Sequence, residues 1–155
     1  MIFKGIAGVG LFMASVVTPA VSGADTGSHN YCTLNLDTGV TVCGATEAEM
    51  RAALGPLPRA GSYINGRLFN HADYGGERLD LMSSSDCDSD SDADIFFPQL
   101  TGFWENRVSS ARGFGRCQIR LWENQYYGGS STVKQQDISY VGNAMNDQAS
   151  SLKLF

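Results

Sequence analysis

The stretch LWENQYYGG, residues 121–129, has a second version in this 155-residue chain, LFNHADYGG, at residues 68–76. In each version an aromatic residue is followed five positions later by a second aromatic residue, and a glycine comes two positions after that. Each position in one copy lies 53 residues from its counterpart in the other. The positions so matched are Phe69 with Trp122, Tyr74 with Tyr127 and Gly76 with Gly129. Internal repetition predicts that one supersecondary unit is built twice.

A second pair of similar stretches follows the first, WENRVSSARGF at residues 104–114 and MNDQASSLKLF at residues 145–155. Both contain a polar pair, two free positions, Ser-Ser and a short hydrophobic run, but their offset is 41 residues. The 12 missing residues match the length of a low-complexity acidic insert, SSSDCDSDSDAD, at residues 83–94. We therefore divide the region into repeat one, residues 63–114, which carries the insert, and repeat two, residues 117–155.

The repeated residue types predict a strand that leaves its sheet and folds back on itself. Two aromatic rings can stack on the folded hairpin, while the glycine takes a backbone conformation that other residues avoid. The second serine of each Ser-Ser pair, Ser110 or Ser151, is placed to hydrogen-bond the folded backbone from the next strand. From Tyr63 onward, Gly, Ser, Asn and Asp interrupt short hydrophobic runs, which predicts an all-β domain.

Taken in order, the two half-motifs and their repetition resemble the βγ-crystallin superfamily. Its Greek-key unit carries aromatic-x4-aromatic-x-Gly, followed by Asn/Asp-Asn/Asp-x-x-Ser/Thr-Ser. Repeat two matches the whole pattern, and repeat one departs from it at Glu105, where Asn or Asp is expected. The resemblance covers roughly residues 63–155. It implies a double Greek-key β-sandwich, a wedge of two four-stranded sheets.

In microbial members of that superfamily the second half-motif is a calcium site, so the resemblance implies calcium here. Calcium takes six to eight oxygen ligands, and a polar turn can supply carbonyl, carboxylate, amide and hydroxyl oxygens. The residues implied are Asp147, the Gln148 backbone and Ser150 in one site, Asn106, the Arg107 backbone and Ser109 in the other, and the carbonyls of Asn70 and Glu123 from the hairpins. With so few carboxylates the expected affinity is weak, about 10⁻⁴–10⁻³ M. The same residue types can also satisfy a turn backbone without any metal.

The first residues predict a secretory signal peptide over residues 1–24. Lys4 supplies a positive charge, and the apolar run of twelve at residues 6–17 is shorter than the roughly 20 residues a membrane span needs. Ser22 and Ala24 occupy the −3 and −1 positions of a plausible cleavage site, and cleavage after Ala20 or Gly23 stays open. We therefore expect a secreted, extracellular protein without a membrane span.

The net charge of the chain bears on which classes of partner it can bind. Removal of Lys4 with the signal peptide leaves ten basic and sixteen acidic residues, a net charge near −6. This excess of acidic groups disfavours nucleic acid and anionic lipid as partners. The remaining residues suffice for one domain and a short arm, and we expect a monomer.

All four cysteines lie beyond the signal peptide, and an even count in an exported chain favours two disulfides over a metal site. The predicted pairs are Cys32 with Cys43 and Cys87 with Cys117. The first pair would close a hairpin in YCTLNLDTGVTVC, residues 31–43, and the second would tie down the acidic insert.

The register of that hairpin is left open. A three-residue loop at residues 37–39 pairs Leu36 with Val40 and puts the two cysteines one residue out of step. Another bulge or a two-residue loop would bring them opposite each other. After the hairpin, Thr46 and Glu49 form a capping box for a short helix that ends at Gly55-Pro56.

The arm therefore runs over residues 25–59, and Pro56 and Pro58 connect it to a crystallin-like domain over residues 60–155. Two roles are open for the arm, a disulfide-stapled cover or an interaction segment. The five aspartates of the insert do not form an EF-hand loop, because starts at Asp86 and Asp88 both lack the required Gly and Glu. We expect the insert to be a solvated loop.

Three functions remain, none of them enzymatic, because no nucleophile–base set or metal-protease motif is visible around His29 or His71. The first is a calcium-stabilised extracellular binding module. The second is an inhibitor of an extracellular peptidase, since a disulfide-stapled arm before a crystallin-like unit resembles metallopeptidase inhibitors of soil bacteria. The third is a crystallin-like killer toxin, which an acidic protein suits poorly.

Overall fold

The computed structural model describes residues 30–55, 62–88 and 90–155. The predicted signal peptide, the connector prolines and His29 lie outside these ranges. The strands in the described part are β1 Tyr31–Asn35, β2 Thr41–Gly44, β3 Tyr63–Phe69, β4 Arg78–Ser83, β5 Ile95–Phe97, β6 Ser110–Gly113, β7 Ile119–Trp122, β8 Asp137–Ile138 and β9 Ser151–Leu154. One α-helix, α1 Glu47–Leu54, and three 3-10 turns accompany them, at Ala72–Tyr74, Gly102–Trp104 and Gln125–Tyr127. None of the described helices is long and apolar enough to cross a membrane.

The strands form two sheets, which we call sheet one and sheet two. Sheet one has the order β2-β1-β4-β3-β6-β8, and sheet two has the order β5-β9-β7. Residues 131–135 add a further row to sheet two through isolated bridges from Ile119 to Gln135 and from Trp122 to Ser131. Without the N-terminal hairpin, each sheet therefore has four rows.

In each repeat, one strand belongs to the sheet that is built mainly by the other repeat. Repeat one places β3, β4 and β6 in sheet one and β5 in sheet two, whereas repeat two places β7 and β9 in sheet two and β8 in sheet one. Two Greek keys joined by this exchange are a double Greek-key sandwich. The predicted crystallin-like fold is confirmed.

The hairpin arm is part of sheet one. Strand β1 pairs in parallel with β4, from Tyr31 opposite Arg78 to Asn35 opposite Met82. The arm thus covers the edge that β4 would otherwise present, and an unpaired edge is a template for aggregation. This attachment was not predicted from the sequence.

The hairpin loop has neither the three nor the two residues expected from the sequence. Cys32 lies opposite Cys43, and the Asn35 amide donates to the Val40 carbonyl at 2.9 Å, so four residues form the turn. The pairing of Leu36 with Val40 is wrong because Leu36 instead donates its amide to the Met82 carbonyl of β4 at 2.7 Å. Leu36 is thereby buried in the core, whereas Val40 is exposed.

The helix that follows has the predicted caps. The Thr46 hydroxyl accepts the Glu49 amide at 3.2 Å, and the Glu49 carboxylate accepts the Ala45 amide at 3.0 Å. Met50 is the buried residue of the helix, and its sulfur accepts a hydrogen bond from the Thr33 hydroxyl of β1. The helix is therefore anchored onto the hairpin.

The core lies between the two sheets and is mostly aliphatic. Its fully buried members include Leu68, Leu79, Leu81, Ile119, Leu121, Leu152 and Leu154, which alternate with outward-facing residues along their strands. Burying each such side chain contributes about 1.5–3 kcal/mol. Both predicted disulfides are present, Cys32–Cys43 across the hairpin and Cys87–Cys117 with a sequence separation of 30. A closed loop of that length is worth on the order of 3–4 kcal/mol in the chain-entropy model.

Candidate functional site

The folded hairpin of each repeat contains two consecutive residues in the left-handed region. They are Asp73 (φ 56°) and Tyr74 (φ 62°) in repeat one, and Tyr126 (φ 56°) and Tyr127 (φ 64°) in repeat two. Each such residue costs roughly 1–2 kcal/mol, so neighbouring contacts must hold the turn in place.

In repeat one, Ser110 supplies that contact. Its hydroxyl accepts the Tyr74 amide at 3.0 Å and donates to the His71 carbonyl at 2.6 Å. The serine is fully buried, and the Tyr74 ring stacks edge-on against Phe69 with centroids 5.7 Å apart. One buried hydroxyl therefore satisfies two backbone groups that the folded hairpin would otherwise leave unpaired.

Repeat two has the same arrangement. The Ser151 hydroxyl accepts the Tyr127 amide at 3.1 Å and donates to the Asn124 carbonyl at 2.6 Å. The Tyr127 ring lies edge-on to Trp122 at 5.5 Å. Burial of the Tyr127 hydroxyl raises its pKa above the usual value, because the ionised form is disfavoured away from water.

Glycine is required after each hairpin. Gly76 has a φ of 77° and Gly129 a φ of 73°. A side chain at Gly76 would also overlap the side-chain oxygen of Asn70, which accepts the Glu77 amide at 2.8 Å. The residue type is thus needed for both conformation and space.

The two polar half-motifs lie side by side. The Asn106 amide donates to the Ala149 carbonyl at 3.0 Å, and the Asp147 amide donates to the Val108 carbonyl at 3.3 Å. Asn106 and Asp147 both have a positive φ, 57° and 56°. The two half-motifs are therefore antiparallel, and the start of each lies beside the serines of the other.

One side-chain contact therefore crosses between the repeats, and a second one joins two segments of repeat one. The Ser150 hydroxyl donates to the Asn106 side-chain oxygen at 3.0 Å. The Ser109 hydroxyl donates to the Asn70 carbonyl at 3.0 Å, and the Asp147 amide bonds to the residue before Ser109. The sequence instead grouped Asn106 with Ser109 and Asp147 with Ser150, each set being completed from a hairpin by Asn70 or Glu123. The contacts place Asn106 beside Ser150 and the Asp147 amide beside Val108, while the Asp147 carboxylate accepts a hydrogen bond from the Asn146 side chain at 2.8 Å. The physical reason is the antiparallel contact, which a linear motif does not reveal.

The remaining predicted ligands take matching places. Glu123 follows Trp122, whose carbonyl accepts the Ser150 amide at 2.9 Å, just as Asn70 follows Phe69, whose carbonyl accepts the Ser109 amide at 2.9 Å. The carbonyl of Glu123 would therefore complete the Asn106 set.

The side chains beside the two half-motifs have other partners. The Arg107 guanidinium lies 4.5 Å from the centre of the Phe103 ring, and Gln148 is exposed. Glu105, the departure from the motif, accepts a hydrogen bond from Gln125 at 3.3 Å.

The donor sets fit a calcium ion in type. Two oxygens 3.0 Å apart, as in the Ser150–Asn106 and Ser109–Asn70 pairs, can both lie within the 2.3–2.6 Å that calcium requires. Each set contains at most one carboxylate, Asp147 in one and none from the half-motif in the other. Accordingly, the described residues contain no cluster of three or more His, Cys, Asp or Glu that could hold a metal.

The acidic insert is exposed and internally hydrogen-bonded. The Asp90 amide donates to the Asp88 carboxylate and the Asp92 amide to the Asp90 carboxylate, both at 2.8 Å. The insert is attached to sheet two, because the Asp94 amide donates to the Leu154 carbonyl at 2.9 Å and Lys134 donates to the Ser91 carbonyl at 3.2 Å. Among its described residues, the side chains of Asp88, Asp90 and Asp94 accept hydrogen bonds from backbone amides of other aspartates in the insert.

A cluster on the outer face of sheet two was missed by sequence reasoning. The Lys153 ammonium lies 4.3 Å from the Tyr127 ring centre, 4.9 Å from Phe96 and 5.3 Å from Trp122. The 41-residue offset could have revealed it, since Lys153 corresponds to Arg112 of repeat one. Three rings around one cation form an amphipathic surface.

Comparison with known proteins gives one family match. Residues 68–134 match the model of peptidase inhibitor family I36, a range that covers residues 68–114 of repeat one, with the insert, and the first hairpin of repeat two. Among curated proteins, none matches the sequence at a significant level.

Several solved structures are similar to this chain at low identity. A βγ-crystallin domain from Flavobacterium johnsoniae is 22% identical with a TM-score of 0.43, and the match covers 58% of this chain and 92% of that one. A βγ-crystallin domain from Clostridium beijerinckii is 17% identical with a TM-score of 0.44, covering 59% and 97%. The N-terminal domain of Protein S is 18% identical with a TM-score of 0.45, covering 59% and 94%. At these scores the fold assignment rests on the strand order and the repeated hairpins. The chain is thus similar to peptidase inhibitor family I36 over residues 68–134, and its fold is βγ-crystallin-like, as the repeated motifs predict.

Proposed function

We propose that this protein is a secreted peptidase inhibitor built on a crystallin-like scaffold. The match of residues 68–134 to an inhibitor family is the observation that carries the proposal. Extracellular action is part of it, because two disulfides suit an oxidising compartment and the first residues have the composition of a signal peptide.

The acidic insert is the segment we assign to the peptidase contact. It is the long exposed addition to the repeat, and the Cys87–Cys117 disulfide fixes one end of its aspartate-rich part, residues 87–94. Its other end is bonded to β9 through Asp94. A loop held at both ends loses little conformational entropy on binding, which favours affinity.

A panel of secreted metallo- and serine peptidases, assayed with the purified protein, tests the proposal. We expect inhibition of at least one metallopeptidase. The protein should be recovered uncleaved, since a slow substrate would also lower the apparent rate.

Calcium binding is a second candidate function. Two oxygen pairs favour it, Ser150 with Asn106 across the repeats and Ser109 with Asn70 within repeat one, because both pairs have the spacing that one calcium ion can bridge. Calcium would stabilise the contact between the two repeats, since each set draws residues from both. Binding at 100 times the dissociation constant would add about 2.7 kcal/mol per site.

Calorimetric titration with calcium tests this second function, with magnesium as the control ion. Magnesium should bind less well because it sheds water reluctantly for a loose set of carbonyls. Heat release and a raised melting temperature with calcium are expected. Absence of both at about 5–10 mM calcium would leave the half-motifs as turns that serve the fold alone.

A further inference from the structure

The outer faces of the two sheets can be compared position by position. The 53-residue offset relates Arg67 to Arg120, and the 41-residue offset relates Arg112 to Lys153. Each face therefore has two cations on neighbouring strands, beside the aromatic pair of its folded hairpin. The repeats differ in what surrounds those cations.

On sheet one, both cations have carboxylate partners. Arg67 forms an ion pair with Asp80, its register partner on β4. Arg112 forms an ion pair with Asp137, its register partner on β8, at 2.5 Å. The hydrogen bond that Arg112 donates to the Asp137 carboxylate raises the pKa of the Arg112 guanidinium. The positive charges of both arginines on this face are therefore paired with carboxylates of the same molecule.

On sheet two, the corresponding positions are apolar and exposed. Val133, 74% exposed, corresponds to Asp80 of sheet one, since the bridge from Trp122 to Ser131 matches the pairing of Phe69 with Arg78 at the 53-residue offset. Phe96, 53% exposed, is the register partner of Lys153 and stands where Asp137 stands. On the neighbouring hairpin, Tyr126 (71% exposed) replaces Asp73.

Three carboxylates on or beside sheet one, two from repeat one and Asp137 from repeat two, thus correspond to exposed Val, Phe and Tyr side chains around sheet two. In the described part of the chain, no ion pair includes Arg120 or Lys153. Arg120 donates to the Ser131 hydroxyl at 2.8 Å, and Lys153 lies over the three rings. Both cations are register partners, so a single segment can reach them together.

We propose that this face binds an acidic peptide segment of a partner protein, with carboxylates meeting Arg120 and Lys153 and apolar side chains covering Phe96 and Val133. Charge complementarity selects this occupant, because the face is basic on a chain whose net charge is −5. A carboxylate arriving at a cation on an aromatic surface forms a charge-assisted hydrogen bond. Arginine and large aromatic residues are also the types that dominate binding energy at interfaces. The proposal goes beyond peptidase inhibition and does not depend on it.

A nuclear magnetic resonance titration of the full chain tests it. The probe is the acetylated, amidated peptide Glu-Leu-Glu-Leu-Glu, and the matched control peptide has Gln in place of each Glu. We expect the acidic peptide to shift backbone resonances of β5, β7 and β9, while sheet one stays unchanged. Raising the salt from about 0.05 to 0.5 M should weaken the binding several-fold, since exposed charges are then screened.

Two protein variants separate the effect of charge from the effect of apolar contact. Phe96→Asp with Val133→Asp installs the carboxylates that sheet one has, and should weaken binding at least about tenfold by pairing Arg120 and Lys153 internally. The control, Phe96→Asn with Val133→Asn, removes the same apolar groups without adding charge, and should retain clearly more binding. Equal shifts from both peptides, shifts on sheet one, or no shift at about 5 mM peptide would each overturn the proposal. Concentration-dependent shifts of the same strands without peptide would overturn it in favour of a second copy of this chain.

Discussion

The Ser150 hydroxyl donates a 3.0 Å hydrogen bond to the side-chain oxygen of Asn106, although the two residues belong to different repeats. The contact follows from the antiparallel approach of the two half-motifs, in which Asn106 bonds to Ala149 and Asp147 bonds to Val108. Any ion held by these oxygens would join one repeat to the other. If calcium binds here, each site should therefore depend on residues of both repeats, whereas two independent motifs would each bind calcium alone.

Each calcium site should be lost when a residue of either repeat's half-motif is replaced. We expect Asn106→Ala and Ser150→Ala to remove the same site, and Asp147→Ala and Ser109→Ala to remove the other. The double variant Asp147→Ala/Ser109→Ala should then keep one site, whereas Asp147→Ala/Ser150→Ala should lose both. Calorimetric stoichiometry distinguishes them. If Asp147→Ala/Ser150→Ala keeps one site, the crossed grouping is incorrect.

The second serine of each pair should stabilise the fold with or without calcium. Ser110→Ala and Ser151→Ala each leave buried backbone groups of a folded hairpin unpaired, so unfolding should become easier by about 1–3 kcal/mol. Ser130→Ala is the matched control, because Ser130 is exposed and its contact with Glu123 uses the backbone amide. Urea denaturation with added chelator measures all three. Equal stability of the Ser151 and Ser130 variants would contradict the role assigned to the buried hydroxyl.

Gly76 should be more sensitive to substitution than Gly39. Both have a positive φ, 77° and 74°, so alanine at either position incurs backbone strain of roughly 1–2 kcal/mol. Only at Gly76 would the new methyl group overlap Asn70, because Gly39 has open space around it. Thermal denaturation should therefore show a clearly lower melting temperature for Gly76→Ala. Matching values would mean that the hairpin adjusts to the side chain.

The insert, not the arm, should determine inhibition. Replacing Asp88, Asp90 and Asp92 together by Ser keeps the Cys87–Cys117 bond but removes three charges and two turn contacts. We expect this variant to inhibit the target peptidase at least about tenfold less well, a loss of roughly 1.4 kcal/mol. The control, Val40→Ser, changes an exposed side chain at the tip of the arm and should leave inhibition unchanged. If Val40→Ser weakens inhibition and the aspartate variant does not, the peptidase contact lies in the arm instead.

Repetition explains why much of the fold could be predicted. Aromatic, glycine and serine positions recur at constant offsets, and each recurs because a left-handed hairpin needs the same backbone groups satisfied. The disulfides followed from cysteine count and order. In contrast, the parallel pairing of β1 with β4 depends on Leu36 reaching the core, which no local pattern encodes. The crossing of Asn106 with Ser150 and the cluster around Lys153 arise from contacts between distant segments, so the sequence alone did not reveal them.

The most direct test of the central claim is a titration of a secreted metallopeptidase, at known active-site concentration, with the purified protein. Inhibition predicts that residual activity falls with added protein to a saturating end point, and that the protein is recovered with its chain and both disulfides intact. No loss of activity at about 10 μM protein, across the panel of metallo- and serine peptidases, would contradict the proposed function.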